Sequence, residues 1–154
     1  MSRAGWFVAA GCAAGVLVSG AALQRAGAGT GPSVIRITDT QTKLVRIDQG
    51  RKGHGIGDVE IVRQSLYNRR ITRRAIGRAD IVCTRMVGGA RSCNMTYTLP
   101  RGKLVVGGVI GSRLLFEMPV LGGTGLYDNA RGSVVVTVSS LKPRREILVF
   151  RLVG

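Results

Sequence analysis

The sequence predicts an all-β protein, a single closed antiparallel barrel of about eight strands. The first observation is a series of about nine short segments that are apolar or alternate between apolar and polar residues. The second is that these segments show no convincing helical periodicity. The third is the composition, because 23 of the 154 residues are Gly and only 4 are Pro, which fits strands joined by tight turns. Closure into a barrel removes the edges of such a sheet.

The first part of the barrel is predicted to contain five strands. Two β-branched segments come first, followed by a glycine-rich loop at 50–57 whose G-x-G-x-G spacing is a weak dinucleotide signal without a helix behind it. Ala79 and Ile81 then share one strand face, and Met95 and Tyr97 share another, in strict alternation with polar residues. The strands predicted here are 34–38, 43–48, 58–67, 73–86 and 92–99.

The second part of the chain is predicted to add four strands. Three prolines, Pro100, Pro119 and Pro143, sit between apolar runs, where turns belong. Val134 and Val136 belong to one purely apolar face of their segment. A barrel of about eight strands is just wide enough to hold one small ligand or to be filled by side chains. The strands predicted here are 103–110, 112–121, 132–140 and 145–153.

Two cysteines are predicted to form a disulfide bond across a hairpin. A hairpin whose tip centres on Gly88 places Cys83 directly opposite Cys93. Directly opposed antiparallel residues lie within the Cα separation that a disulfide requires, and an exported protein allows the bond to form. No metal site is expected, because His54 is the only histidine and no second thiol pair remains.

The N-terminal residues 1–28 are predicted to be a signal peptide, which leaves 29–154 as the barrel domain. Arg3 gives a positive start, 6–23 is almost wholly apolar, and Ala26-Gly27-Ala28 is a small-x-small cleavage site. The protein is therefore expected to be secreted. The alternative is a membrane anchor that stays uncleaved, since the apolar run has about the minimum length that spans a bilayer.

The chain is strongly basic. Removal of 1–28 takes away two arginines and leaves 21 Lys and Arg against 8 Asp and Glu, a net charge of +13. Such a field attracts anionic envelope polymers or nucleic acid. The alternative is an ordinary solvated basic face, and no aromatic residue is interleaved with the cluster for stacking on bases. The densest cluster is Arg69, Arg70, Arg73, Arg74 and Arg78.

The most informative run is MPVLGGTGLYDNARG, from Met118 to Gly132. Its glycines allow positive φ and close backbone approach, which marks a tight turn between strands. A phosphate-binding loop would need a Gly-Lys-Ser/Thr ending and a following helix, but a β-branched run follows. The run resembles the PVxGG(S/T)Gx(F/Y)xxAxG signature of dirigent proteins and allene oxide cyclases.

The resemblance extends over roughly 55–154. Gly57-Asp58, Leu66-Tyr67, Ile76-Gly77 and Cys83 resemble a progression found in the cyclases, and Ala130-Arg131-Gly132 is similar to an element of dirigent proteins. The resemblance implies an eight-stranded barrel with an apolar pocket and no cofactor, commonly a homotrimer. The cyclases close a ring in a bound epoxide, whereas dirigent proteins orient phenoxy radicals that a separate oxidase generates.

The candidate site residues are polar groups at the barrel mouth and apolar groups inside it. A Tyr hydroxyl in an apolar mouth can orient a substrate or stabilise a developing oxyanion, although such tyrosines are also ordinary rim packing. Paired carboxylates, Glu117 with Asp128 or Asp58 with Glu60, are a further option beside simple surface ion pairs. The orienting or catalytic candidates are Gln64, Tyr67, Tyr127 and Asp128. The ligand-binding candidates are Met95, Tyr97, Val106, Phe116 and Phe150.

Two functional hypotheses follow. In the first, a secreted, cofactor-free barrel binds a small apolar molecule and steers its cyclisation or stereoselective coupling by shape. In the second, the protein is a non-catalytic basic module that binds envelope polyanions or a protein partner. A pocket lined by apolar groups with a few convergent hydroxyls favours the first, whereas a pocket filled by side chains, with one continuous face formed by Arg69 to Arg78, favours the second.

Overall fold

The computed structural model describes residues 33–50, 52–111 and 113–153. They form a closed antiparallel barrel in which every strand pairs with its chain neighbours and the last pairs with the first, so the predicted fold class is confirmed. The predicted signal peptide, 1–28, lies outside these residues, and within them no helix is long and apolar enough to span a bilayer. The strands are β1 (Val34–Ile47), β2 (Val59–Tyr67), β3 (Gly77–Arg85), β4 (Arg91–Leu99), β5 (Gly102–Ile110), β6 (Leu115–Gly125), β7 (Arg131–Leu141) and β8 (Arg144–Val153).

The two ends of the barrel are distinct. The upper end carries the β1–β2, β3–β4, β5–β6 and β7–β8 loops, and the lower end carries the β2–β3, β4–β5 and β6–β7 loops. Ile37, Leu66, Leu104, Val134 and Phe150 are almost completely buried in the interior. Burial of these side chains is the main favourable term for the fold.

The first strand corrects the prediction of two separate strands at 34–38 and 43–48. The polar sequence from Asp39 to Thr42 interrupts the apolar pattern, yet β1 is continuous over 14 residues. The pairing with β2 shifts between Gln41 and Lys43, so one extra residue is accommodated there as a β-bulge. The bulge changes the alternation, and the inward positions pass from Asp39 and Gln41 to Leu44.

Pro119 lies inside β6, which agrees with the strand predicted over 112–121 and corrects the separate prediction of a turn at this proline. The ladder between β5 and β6 ends where Val106 pairs with Val120. Pro119 therefore lies just past the last rung on that side, where a missing N–H costs no ladder hydrogen bond. On the β7 side it pairs with Ser133. The other main boundary difference is at β3, which begins at Gly77 and not at 73.

The predicted disulfide hairpin is confirmed. Cys83 and Cys93 are directly opposite each other in the β3–β4 ladder, and they are joined by a disulfide with a Cα–Cα separation of 4.1 Å. The tip is a single 3-10 turn, Val87–Gly89. Gly88 has a φ of 71°, which only glycine adopts at little cost.

The signature glycines form the end of β6, and the turn itself follows them at 126–129. A Cβ placed on Gly123 would overlap the Tyr127 carbonyl oxygen and would lie 2.7 Å from the Lys103 carbonyl oxygen. Both obstacles are backbone, which cannot move away as a flexible side chain can. The close backbone approach predicted from the glycine cluster is therefore observed.

We expect Gly123→Ala to lower the free energy of unfolding by about 2–3 kcal/mol, because it forces backbone displacement in two neighbouring segments. Gly111→Ala is the matched control, since a Cβ there meets nothing within 4 Å, and it should change stability by less than about 0.5 kcal/mol. Urea unfolding of both variants measures the difference. Equal stability of the two variants would contradict the close approach.

Candidate functional site

Three neighbouring strands, β2, β1 and β8, point a cluster of buried polar side chains into the barrel. Asp39 is 0 % exposed, Gln64 is 2 % exposed and Glu146 is 5 % exposed. The backbone N–H of Glu146 donates to Asp39 Oδ1 at 3.1 Å, and Gln64 Nε2 donates to Glu146 Oε2 at 3.0 Å. We call Asp39, Gln64 and Glu146, together with Arg144, the polar cluster.

Arg144 supplies the positive charge of the polar cluster. Its guanidinium lies 2.6 Å from Glu146 Oε1 and donates a further hydrogen bond to the backbone carbonyl of Arg113 at 3.1 Å. The side chain of Glu146 is 6 % exposed and that of Arg144 is 25 % exposed. The ion pair is therefore largely buried, and removal of either charge would leave the other buried without compensation.

Among the residues that the structure describes, Asp39 forms no ion pair with a cationic side chain. Burial and the negative charge of Glu146 raise the pKa of Asp39 from 3.8 to about 8, while the Glu146 N–H bond and Arg144 oppose the rise. Asp39 is consequently a neutral acid at pH 7. Its Oδ2 and the Oε1 of Gln64 have no hydrogen-bond partner in the described part of the protein, so the polar cluster keeps unused hydrogen-bonding capacity.

A second ionic group lies nearer the rim of the upper end. Glu60 accepts hydrogen bonds from Arg46 at 3.2 Å and from Arg91 at 3.1 Å. The Arg91 side chain is only 12 % exposed. Burial lowers the pKa of Arg91, and the positive charges of Arg113 and Arg144 add to that effect. Three guanidinium groups therefore act on one another at this end.

The two ionic groups and several apolar side chains enclose a cavity of about 120 Å³. It opens at the upper end, where Arg113 lies on the rim and is exposed. A neighbouring cavity of about 190 Å³ lies beside the β1–β2 loop and shares Glu60 and Arg91 with the first. The apolar lining of the first cavity is Leu44, Val62, Ile81, Met95, Ile110 and Phe116.

The structure brings some of the sequence-predicted residues together at this cavity. Gln64, Met95 and Phe116 all contribute to its wall. Tyr97 and Phe150 do not, because they pack edge to face with ring centroids 5.2 Å apart in the filled part of the barrel. Val106 is likewise 0 % exposed in the core. These three residues therefore support the cavity from outside its lining.

The other predicted polar residues lie elsewhere. Tyr67 ends β2 at the lower end, on the opposite face to Gln64 and Leu66. Tyr127 and Asp128 belong to the β6–β7 loop, also at the lower end. Tyr127 is buried there, and Asp128 is exposed and accepts a hydrogen bond from the Asn129 side chain at 3.2 Å. The structure thus separates all three from the upper cavity.

Asp58 and Glu60, considered above as a carboxylate pair, have different partners. Asp58 accepts hydrogen bonds from the backbone N–H of Gln49 at 3.1 Å and of Gly55 at 2.7 Å, so it holds the glycine-rich loop in shape. Those bonds lower its pKa. Glu60 is occupied by two arginines. Within residues 33–50, 52–111 and 113–153 no group of three or more His, Cys, Asp or Glu side chains has a metal-binding arrangement.

Sequence reasoning missed Asp39, Glu146 and Arg144 as site residues. The alternation of inward-facing and outward-facing residues along each strand could have identified them. Asp39 occupies the same face as Ile35 and Ile37, and Glu146 occupies the same face as Leu148 and Phe150. An acid in phase with a buried apolar face must be buried with it.

The structure defines a class of protein by its fold, a closed eight-stranded antiparallel barrel, and solved dirigent proteins and Diels-Alderases are similar to it in fold. In particular, the chain is similar to pyocyanin demethylase, with a TM-score of 0.64 and 20% identity over 75% of this chain and 97% of that one. The pterocarpan synthase dirigent protein GePTS1 gives a TM-score of 0.62 and 16% identity, over 78% of this chain and 82% of that one.

The Diels-Alderase AbmU from Streptomyces koyangensis gives a TM-score of 0.58 and 16% identity, over 77% of this chain and 68% of that one. No protein-family model and no curated protein matches the chain. At these identities the likeness establishes the fold, and the barrel expected from the glycine signature is confirmed at that level.

Proposed function

We propose that the protein is a secreted, cofactor-free barrel that binds a small, largely apolar molecule in its upper cavity and steers the cyclisation or stereoselective coupling of that molecule. The observation that carries the proposal is the cavity itself, which has apolar walls on one side and the buried polar cluster on the other. Small-molecule sites have this composition. A rigid wall limits the conformations of a reactive ligand, so that one ring closure or one coupling geometry dominates.

Gln64, Arg144 and Glu146 are the members of the polar cluster that contribute to the cavity wall. Gln64 has an unused acceptor in Oε1, which suits a hydroxyl or N–H donor on the ligand. Asp39 lies behind Glu146 and acts as a positioning residue, because its Oδ1 fixes the Glu146 backbone. Dirigent-type coupling would additionally need a separate oxidase to generate radicals, whereas cyclisation would not.

The second candidate is a non-catalytic basic module for envelope polyanions or a protein partner. The observation that favours it is the β2–β3 loop, where Arg69, Arg70, Arg73 and Arg74 are all exposed. This loop is at the lower end, remote from the cavity mouth. The two functions therefore predict different effects of mutations at the two ends.

Native mass spectrometry of the protein recovered from the culture medium of its host tests the proposal, and it also reports whether a homotrimer forms. We expect a co-purified small apolar compound in the wild-type protein. Val62→Phe fills the cavity from β2 and should abolish the adduct. Val82→Phe, on the exposed face of β3, is the matched control and should retain it. An empty protein that binds acidic polymers in a salt-sensitive manner would instead support the basic module.

A further inference from the structure

We propose that the ligand of the upper cavity is an acid: a compound with one ring-sized apolar part and a carboxylate that is held at the rim by Arg91, Arg113 and Arg144. This inference rests on the proposed function of the cavity and narrows its substrate class.

The charges around the cavity do not cancel. Four arginines contribute to its wall, Arg46, Arg91, Arg113 and Arg144, whereas the only acids in the wall are Glu60 and Glu146. Glu60 is shared by Arg46 and Arg91, and Glu146 is occupied by Arg144. The cavity wall therefore carries two more cationic than anionic groups.

Arg113 is the cation left over. Its guanidinium pairs with no carboxylate among the residues that the structure describes, while its backbone carbonyl is already held by Arg144. The backbone bond fixes the position of Arg113 beside the ion pair of the polar cluster. The Arg91 side chain is only 12 % exposed and shares Glu60 with Arg46. A ligand carboxylate at the rim would therefore reduce the repulsion among the guanidinium groups of Arg91, Arg113 and Arg144.

The size and lining of the cavity determine the apolar group that the ligand carries at the end opposite its carboxylate. A volume of about 120 Å³ is on the scale of a cavity that accepts a single benzene ring. Met95, Phe116 and Ile110 offer an apolar surface to such a ring. Larger substituents would have to extend through the open upper end. The geometry thus points to a monocyclic carboxylate or to a longer acid that inserts one ring.

Binding of benzoate and of its neutral analogue benzamide, measured by calorimetry at low salt, tests the inference. We expect benzoate to bind the wild-type protein at least about tenfold more tightly than benzamide, because the amide lacks the negative charge of the carboxylate and replaces its second acceptor oxygen with an NH2 donor. Arg113→Gln should remove most of that preference, because it weakens benzoate binding much more than benzamide binding. Arg145→Gln, an exposed arginine of β8, is the matched control and should retain the preference.

Val62→Phe should abolish binding of both compounds, which places them in the cavity. Equal affinities for benzoate and benzamide would overturn the acidic ligand while leaving the cavity as a site for apolar molecules. Benzoate binding that survives Val62→Phe, or that inorganic phosphate displaces at equal concentration, would also overturn it, since the anion would then be held only by surface charge. If native mass spectra show a host-derived compound, failure of benzoate to bind after that compound has been removed would overturn the substrate class but not the proposed function.

Discussion

Asp39→Asn should make the protein more stable at pH 8 than the wild type, by about 3 kcal/mol. In the unfolded chain this carboxyl ionises near its ordinary pKa of 3.8, whereas in the barrel its pKa is about 8. Between those values the folded state holds a proton that the unfolded state has lost, so wild-type stability falls as pH rises. Each unit of difference between the pKa of the folded and the unfolded state corresponds to roughly 1.4 kcal/mol of stability. Relaxation of the protein around the ionised carboxylate makes the destabilisation smaller than the whole pKa difference would give.

Asparagine keeps the acceptor for the Glu146 N–H and has no proton to lose, so the variant should lack this part of the pH dependence. Urea unfolding at pH 5, 6.5 and 8 measures the effect, and the stability difference should shrink toward pH 4. Asp80→Asn is the control. The hydrogen bonds from Arg63 and Arg78 lower the pKa of Asp80, so its contribution is already complete above pH 4 and stays constant from pH 5 to 8. Parallel pH profiles for wild type and Asp39→Asn would contradict the assignment.

The fold could be predicted from the sequence because its main determinants are local. Alternation in β4 gave Cys93, Met95 and Tyr97 a common face, and that face is buried. The opposition of Cys83 and Cys93 followed from strand register and hairpin length alone. What could not be read locally was the β-bulge of β1, because a bulge is required by pairing with a partner strand and leaves no apolar signal of its own.

The bulge also explains why the site was less predictable than the fold. A strand that ends at residue 38 leaves Asp39 in a loop, where an acid needs no explanation. In the continuous β1 the same residue faces the interior with Ile37. Met95 and Phe116, predicted as inward residues, and Gln64, predicted as an orienting residue, all lie in the cavity wall. Tyr67 and Tyr127 could not be separated from them by chemistry, because residue type does not show which end of the barrel a residue occupies; that depends on strand direction and on position along the strand.

Burial of the polar cluster lowers the stability of the protein, and the position of the cluster indicates that it serves ligand binding. A neutral Asp39, a paired Glu146 and a partly unpaired Gln64 occupy a site that aliphatic side chains could fill. Buried polar groups of this kind persist mainly where they serve a function. Their location at the inner end of an arginine-rimmed cavity therefore supports the proposed ligand site more strongly than the fold likeness does.

Removal of the Arg144 charge should be among the most destabilising single changes at the site. Arg144→Met keeps an apolar stem but leaves Glu146 buried beside Asp39 without its cation, and the loss expected is about 2–4 kcal/mol. Adding Glu146→Gln should restore most of that stability, since the uncompensated charge is then gone while the Gln64 contact can re-form as an amide pair. Urea unfolding at pH 7 of both single variants and the double variant gives the coupling energy.

Arg63→Met provides the reference for an ion pair in solvent. Arg63 pairs with Asp80 at 2.7 Å, but the two side chains are 59 % and 41 % exposed, so its loss should cost less than about 1 kcal/mol. Glu146→Gln alone should also weaken the pH dependence attributed to Asp39, because the charge of Glu146 is one cause of the raised pKa. Two results would contradict the importance of the buried Arg144–Glu146 pair for stability. One is that Arg144→Met costs no more stability than Arg63→Met, and the other is that Glu146→Gln fails to restore the stability of the Arg144→Met variant. The cavity would then be bounded by independent groups, and each could be changed without regard to the others.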